Sequence, residues 1–169
     1  MNSLIRKFCL FSLIFYLCGF SSSQASEDPL LEKIWDIELE KVINEEELID
    51  QFLGAEVIYL GEKHDNARQH EIQLLILEAL IRKGKRPSIG FEFFTTGQTS
   101  LLMNFTQPSA PVMNMMSKDY DPESALRQAL GWDHRSDEEW SFYFKLIEIA
   151  RENQLPAFAT DIPWGLSSR

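Results

Sequence analysis

Three short apolar runs, each closing on polar or charged residues and separated by helical patterns, constrain this chain most. Val57-Ile58-Tyr59-Leu60 ends at Gly61-Glu62, Ile89-Gly90-Phe91 runs into Glu92 and on through Phe93-Phe94, and Leu155 to Ile162 carries Asp161 near its end. Continuous apolar runs of this length suit strands buried on both faces, as in parallel sheets. Between the first two lies a helical segment. Its Ile72, Leu75, Ile76, Ala79 and Leu80 recur at the i, i+3, i+4, i+7, i+8 spacing of one helix face. Strands alternating with helices predict an α/β fold, with a mostly parallel sheet flanked by helices.

The remaining segments fill in this frame. Ile34 to Ile37 reads as a short strand. Asn44 is placed to cap a helix through Glu45, Glu46 and Glu47, whose acids suit the positive helix end, and Gly54 stops it. Asp65 or Asn66 caps the long helix, and Arg82, Lys83, Lys85 and Arg86 complement its negative end. Gly97 to Phe105 reads as a short helix, and Thr106 to Ser117 as a loop whose Met113, Met115 and Met116 fill packing gaps. Asp121-Pro122-Glu123 opens a helix that Gly131 cuts. Asp137 is read as the cap of the next helix, where Trp140, Tyr143, Phe144 and Ile147 form one core stripe. Pro163 ends the third strand, and the chain stops at Arg169 without a further covering helix. The expectation is a domain truncated at its C-terminus or finished by another chain.

The first 25 residues read differently. They contain no acid, Arg6 and Lys7 form a basic start, and Phe8 to Phe20 is almost wholly apolar. That run is shorter than the roughly 20 residues a membrane span needs. Ser23-Gln24-Ala25 then offers small residues for cleavage, so residues 1–25 read as a secretory signal peptide. Residues 26–33 are a polar lead-in, and 34–169 the folded domain. Cleavage removes two of the 16 basic residues and none of the 26 acids, taking the formal charge from −10 to −12. Such an acidic chain is a poor partner for nucleic acid, which binds through clustered Lys and Arg. Cleavage also removes Cys9 and Cys18, leaving no disulfide or thiolate ligand. Tyr16 and Leu17 before Cys18 are bulky for a lipidation signal. Membrane association is therefore expected only if Cys18 is lipidated or the leader stays uncleaved.

In open parallel sheets ligands bind beyond the carboxyl ends of the strands. Glu62 and His64 follow the first main strand, His70 sits in the first turn of the long helix, and Glu92 and Asp161 lie late in the other two strands. These five residues form a candidate cluster. Imidazole and carboxylate donors suit Mn, Co, Zn or Fe, and a bound metal activates water for hydrolysis. The local alternative is that Glu62 caps the helix and Glu92 pairs with Lys63 or Arg68. No G-x-S-x-G elbow, phosphate-binding G-x-x-x-x-G-K-[ST] or G-x-G-x-x-G is present.

Val57 to Asn66 followed by His70 and Gln73, Ile89 to Phe94, the aromatic positions Trp132, Trp140 and Tyr143, and Leu155 to Pro163 stand in the order of a known signature. Together they resemble the ChaN-like haem-binding proteins, over about Ile34 to Arg169. The resemblance implies an exported protein of the bacterial periplasm or outer membrane, acting in iron or haem acquisition. It also implies an α/β fold, haem as cofactor, and a homodimer around paired haems. The wider superfamily includes TIKI-type metalloproteases and erythromycin-esterase-like hydrolases, whose G-x-x-H motif and later glutamate map onto Gly61, His64 and Glu92. A metal-dependent hydrolase is thus the alternative function. Tyrosinate or imidazole binds haem iron, which makes Tyr120, His134 and Tyr143 ligand candidates. Arg68 and Arg135 are candidates for propionate contacts.

Overall fold

A computed structural model of the chain describes residues 33–109 and 121–162. The leader read over residues 1–25, the Met-bearing part of the loop, Tyr120 and Pro163 lie outside the described residues. Among those described, no helix is long and apolar enough to cross a membrane.

The chain divides into two units, residues 1–44 and 45–169. The first holds a β-hairpin. Strand β1 (Ile34–Asp36) pairs antiparallel with β2 (Lys41–Ile43), with Ile34 opposite Ile43 and Asp36 opposite Lys41. The turn is held by Leu39 N–H, which donates to Asp36 Oδ1 at 2.8 Å. Strand β2 was not foreseen, because its single buried residue, Ile43, leaves no apolar run to read.

The second unit carries the α/β layer. Helix α1 (Glu45–Leu53) packs Ile49 against Ile76, Ala79 and Leu80 of α2 (Ala67–Arg82). Asn66 caps α2, its side chain accepting from Gln69 N–H at 3.2 Å. The helix ends at Gly84, whose φ of +82° lies in the left-handed region that glycine enters without strain. The basic cluster beyond is spent on neighbours. Arg82 pairs with Glu78, Lys83 with Asp50 of α1, and Arg86 donates to the carbonyls of Asn153 and Gln154.

Strand β3 (Ile89–Thr95) pairs parallel with β4 (Ala157–Asp161), Ile89 opposite Ala157 and Phe91 opposite Ala159. The register shifts between Phe91 and Thr95. A strict two-residue period would put Phe91 and Phe94 on opposite faces. The irregularity lets both enter the core, 5% and 0% exposed, while Phe93 stays only half-buried. A Cβ on Gly90 would stand 2.9 Å from Thr160 Cγ2 and 3.1 Å from the Phe158 ring, so a larger residue there would have to displace those side chains.

A 3₁₀ turn (Thr96–Gln98) leads into α3 (Thr99–Thr106); α4 (Pro122–Ala129) and α5 (Asp137–Glu152) follow. Asp121 caps α4 with Pro122 at its first position, as the sequence predicts. The cap of α5 is Ser136 and not Asp137. Ser136 Oγ accepts from Glu139 N–H at 3.1 Å, and Ser-x-x-Glu is the stronger N-terminal pattern. The stripe of α5 is core as expected: Trp140, Tyr143 and Ile147 are buried beside Leu102, Phe91 and Phe94, and Phe144 packs against them.

One expected strand is not assigned. Val57 to Leu60 has no strand partner among the described residues. Only Ile58 packs, against the α1–α2 cluster, whereas Val57 is 66% and Tyr59 92% exposed. Apolar composition favours a strand, but a strand forms only where a neighbouring backbone supplies the ladder.

Candidate functional site

The loop from Gly61 to Asn66 turns Glu62 inward, where its side chain is only 6% exposed. A buried carboxylate needs donors, or its desolvation is uncompensated. Here they come from three elements. Tyr143 of α5 donates its hydroxyl to Glu62 Oε1 at 2.5 Å, and Gln73 of α2 donates to Oε2 at 2.9 Å. From the loop itself, His64 Nδ1 lies 3.2 Å from Oε1. A carboxylate offers only acceptors, so Nδ1 of His64 carries the hydrogen. The imidazole is thereby held in one tautomer, with Nε2 pointing its lone pair away from the bond.

His70 completes the cluster in another way. It is 3% exposed, stacks on Phe142 (4.4 Å, 13°), and meets the edge of Tyr143 at 5.3 Å. Its Nε2 lies 3.1 Å from the backbone oxygen of His64, which ties helix α2 to the loop. Its Nδ1 stands 3.0 Å from Glu62 Oε2 but out of line, so this buried nitrogen makes no hydrogen bond. The pKa of Tyr143 is pushed far above its ordinary value. Burial is the largest cause, followed by the bond to Glu62 and the charges of Glu62, Glu139 and Glu92.

His64, 56% exposed, opens this interior onto the surface. Its ring meets Phe93 edge-on at 4.5 Å, and Phe93 also touches Tyr143 (4.7 Å) and Trp132 (5.9 Å). The Arg135 guanidinium lies 4.6 Å over Trp132 and 6.0 Å from Phe93, and pairs with Glu139. Arg127 fixes the turn that carries it, donating to the carbonyls of Trp132 and Arg135 and to Asp137. The result is an imidazole and a guanidinium on one aromatic surface.

The predicted residues therefore divide. Glu62, His64 and His70 come together. Glu92 is exposed on β3 and reaches the cluster through its charge on Tyr143; no pairing with Lys63 or Arg68 is formed. Asp161 is exposed at the end of β4, opposite Thr95. Among the described residues no group of three or more His, Cys, Asp or Glu is arranged to hold a metal ion. The divalent-metal alternative (Mn, Co, Zn or Fe) has no assembled donor set there.

The haem-ligand candidates divide as well. Tyr143 has its hydroxyl committed to Glu62 and is held protonated, the opposite of what a tyrosinate ligand requires. His134 is exposed in the turn before α5, and Tyr120 lies outside the described residues. Arg68 is engaged with Glu71 on the exposed side of α2, at 3.0 Å. Arg135 is likewise engaged, with Glu139, and its guanidinium lies over Trp132 and Phe93. Phe93, Trp132 and Phe142 were not foreseen as site residues. Gln73, three residues after His70, was legible from i, i+3 spacing on one helix face.

The side chains here that share haem's chemistry are the exposed His64 imidazole, the half-buried Phe93 ring and the Arg135 guanidinium, which is paired with Glu139. Comparison with known proteins points the same way. The family described as "Haem-binding uptake, Tiki superfamily, ChaN" matches residues 48–169. No curated protein matches the chain at a significant level. A solved structure, "Cofacial heme binding to ChaN of Campylobacter jejuni", is 22% identical with a TM-score of 0.59, covering 79% of this chain. That likeness is one of fold, and the chain spans 49% of that relative's length. With the match running over residues 48–169, most of this sequence, the chain belongs to the ChaN haem-binding uptake family of the Tiki superfamily.

Proposed function

We propose that the protein is an exported haem-binding protein of the bacterial cell envelope, acting in iron or haem acquisition. The observation that carries this reading is the surface where His64 and Arg135 share the ring of Phe93. Haem brings a flat apolar macrocycle, an iron that takes axial donors, and two propionates. Half-buried Phe93 supplies apolar surface over the buried Trp132, and Arg135 supplies a forked cation whose present partner, Glu139, a propionate would replace. The basic start and apolar run of residues 1–25 support export, and the family description supports uptake. Pairing of two copies around haem belongs to the same proposal, as does attachment to the membrane through an uncleaved leader or a lipidated Cys18.

Haem titration followed by visible absorption tests it. The full chain is expected to give a saturable Soret shift. Arg135→Ala is expected to weaken binding by about tenfold, the loss of roughly one charge-assisted hydrogen bond. Absence of any saturable shift in the unaltered protein overturns the reading. N-terminal sequencing of the protein recovered from the periplasm checks export, with Ser26 as the expected first residue.

A further inference from the structure

Three oxidisable rings touch one another in the core. Tyr143 of α5 meets the Trp132 ring edge-on at 5.3 Å, and Trp132 meets Trp140 at 5.8 Å. All three are buried, so no solvent separates them. Each end of the row gives its polar hydrogen to a carboxylate. Tyr143 donates to Glu62 Oε1, and Trp140 Nε1–H donates to Glu123 Oε1 at 2.8 Å. The charges along the row are uneven. Arg135, paired with Glu139, lies 4.6 Å over Trp132 and disfavours positive charge on that ring. At Trp140, the Arg127 guanidinium at 5.8 Å and the bonded Glu123 oppose each other. Tyr143 stands in the field of three carboxylates, Glu62, Glu139 and Glu92.

We propose that Trp132, Trp140 and Tyr143 form an electron relay, through which a one-electron oxidant at the surface is reduced while Tyr143 is oxidised and its proton passes to Glu62. The inference is independent of haem binding. The oxidant is of the peroxide-derived class, and it gains one electron from Trp132, beneath half-buried Phe93 and Arg135. Trp132 recovers that electron from Tyr143. The O–H bond of Tyr143 breaks as its electron leaves, and the proton forms a new O–H bond on Glu62 Oε1, the atom it already faces. The products are a neutral tyrosyl radical and a neutral carboxylic acid. The buried pair thus passes from one negative charge to none, which a dry interior favours. An oxidised phenol is a far stronger acid than an oxidised indole. Proton transfer to Glu62 therefore draws the oxidation from both tryptophans to Tyr143. A thiol reductant reverses the step by returning the electron, and Glu62 returns the proton.

The test oxidises the full chain with a photogenerated ruthenium(III) tris-bipyridine complex. The chain carries Tyr16→Phe, Tyr59→Phe and Tyr120→Phe, so that Tyr143 is the one tyrosine left. Electron paramagnetic resonance and transient absorption are expected to show a tyrosyl radical that forms more slowly in deuterium oxide. Trp132→Phe in this background is expected to slow its formation by about tenfold. Glu62→Gln keeps an oxygen for the Tyr143 hydroxyl but removes the base. It is expected to lose the tyrosyl signal and leave the oxidation on tryptophan, with near-ultraviolet circular dichroism unchanged. The Trp132→Phe rate tests the relay whether or not Glu62→Gln folds. A tryptophanyl radical without a tyrosyl radical in the chain that keeps only Tyr143 overturns the proposal. So does a tyrosyl radical that forms as fast in Trp132→Phe, or in the same yield in folded Glu62→Gln.

Discussion

Glu62→Ala is expected to destabilise the folded chain by about 3–5 kcal/mol, the range for removing one partner from a buried charged network. The variant leaves the Tyr143 hydroxyl without its acceptor and the Gln73 amide with only its longer bond to the Leu60 carbonyl, and a buried orphan costs about 1–3 kcal/mol. It also cuts the tie between the loop and α5, while α2 keeps its hold on the loop through His70 and the His64 carbonyl. Urea unfolding at neutral pH measures the loss, and a change below about 1 kcal/mol would show that Glu62 does not bridge these elements. The same measurement has a pH signature. Tyr143 loses its proton near pH 10 in the unfolded chain but well above that when folded. Folding is thus favoured fully below about pH 10, and this contribution is lost as pH rises beyond it. Tyr143→Phe, which cannot ionise, is expected to show a shallower alkaline decline than the unaltered protein.

Phe94→Ala is expected to cost about 3–5 kcal/mol. Phe94 is wholly buried, 5.8 Å from the Phe91 ring and 5.3 Å from the Trp132 ring, and its truncation leaves a cavity the parallel pair cannot close. The cost reaches the site as well as the core. Trp132 rests on Phe94 from inside and carries Arg135 outside, so a void beneath it loosens the cation of the binding surface. In urea the midpoint is expected to fall with little change in slope. A shift as small as that of an exposed substitution would mean that this aromatic layer does not support the sheet.

Much of this architecture can be read along the chain, and the readable parts share a cause. Helix α2 announces itself through apolar spacing, a cap at Asp65 or Asn66 and basic residues at its end, all interactions among residues at most a few positions apart. The Asp121-Pro122 start of α4 is local in the same sense. Where two local signals compete, the reading slips by one residue, as at Ser136 and Asp137. Val57 to Leu60 shows the limit. Its composition is that of a strand, but pairing depends on a backbone distant in sequence, and none lies beside it among the described residues.

The candidate site divides along the same line. Residue types alone pointed to Glu62, His64 and His70, because imidazoles and a carboxylate bracketing the start of α2 are close whatever the rest of the chain does. They did not reveal that Tyr143, 81 residues away, supplies the hydrogen bond that commits Glu62 to an inward, orienting role. Nor did they separate Glu92 and Asp161 from the cluster, since the direction of a strand side chain changes at an irregularity that no local pattern marks. Local sequence determined the helices, their caps and the chemical character of the loop, through forces acting within one or two turns. Only the folded chain decided which imidazole is sealed inside and which is left open to a ligand, because burial and donor partners are set by packing between distant elements.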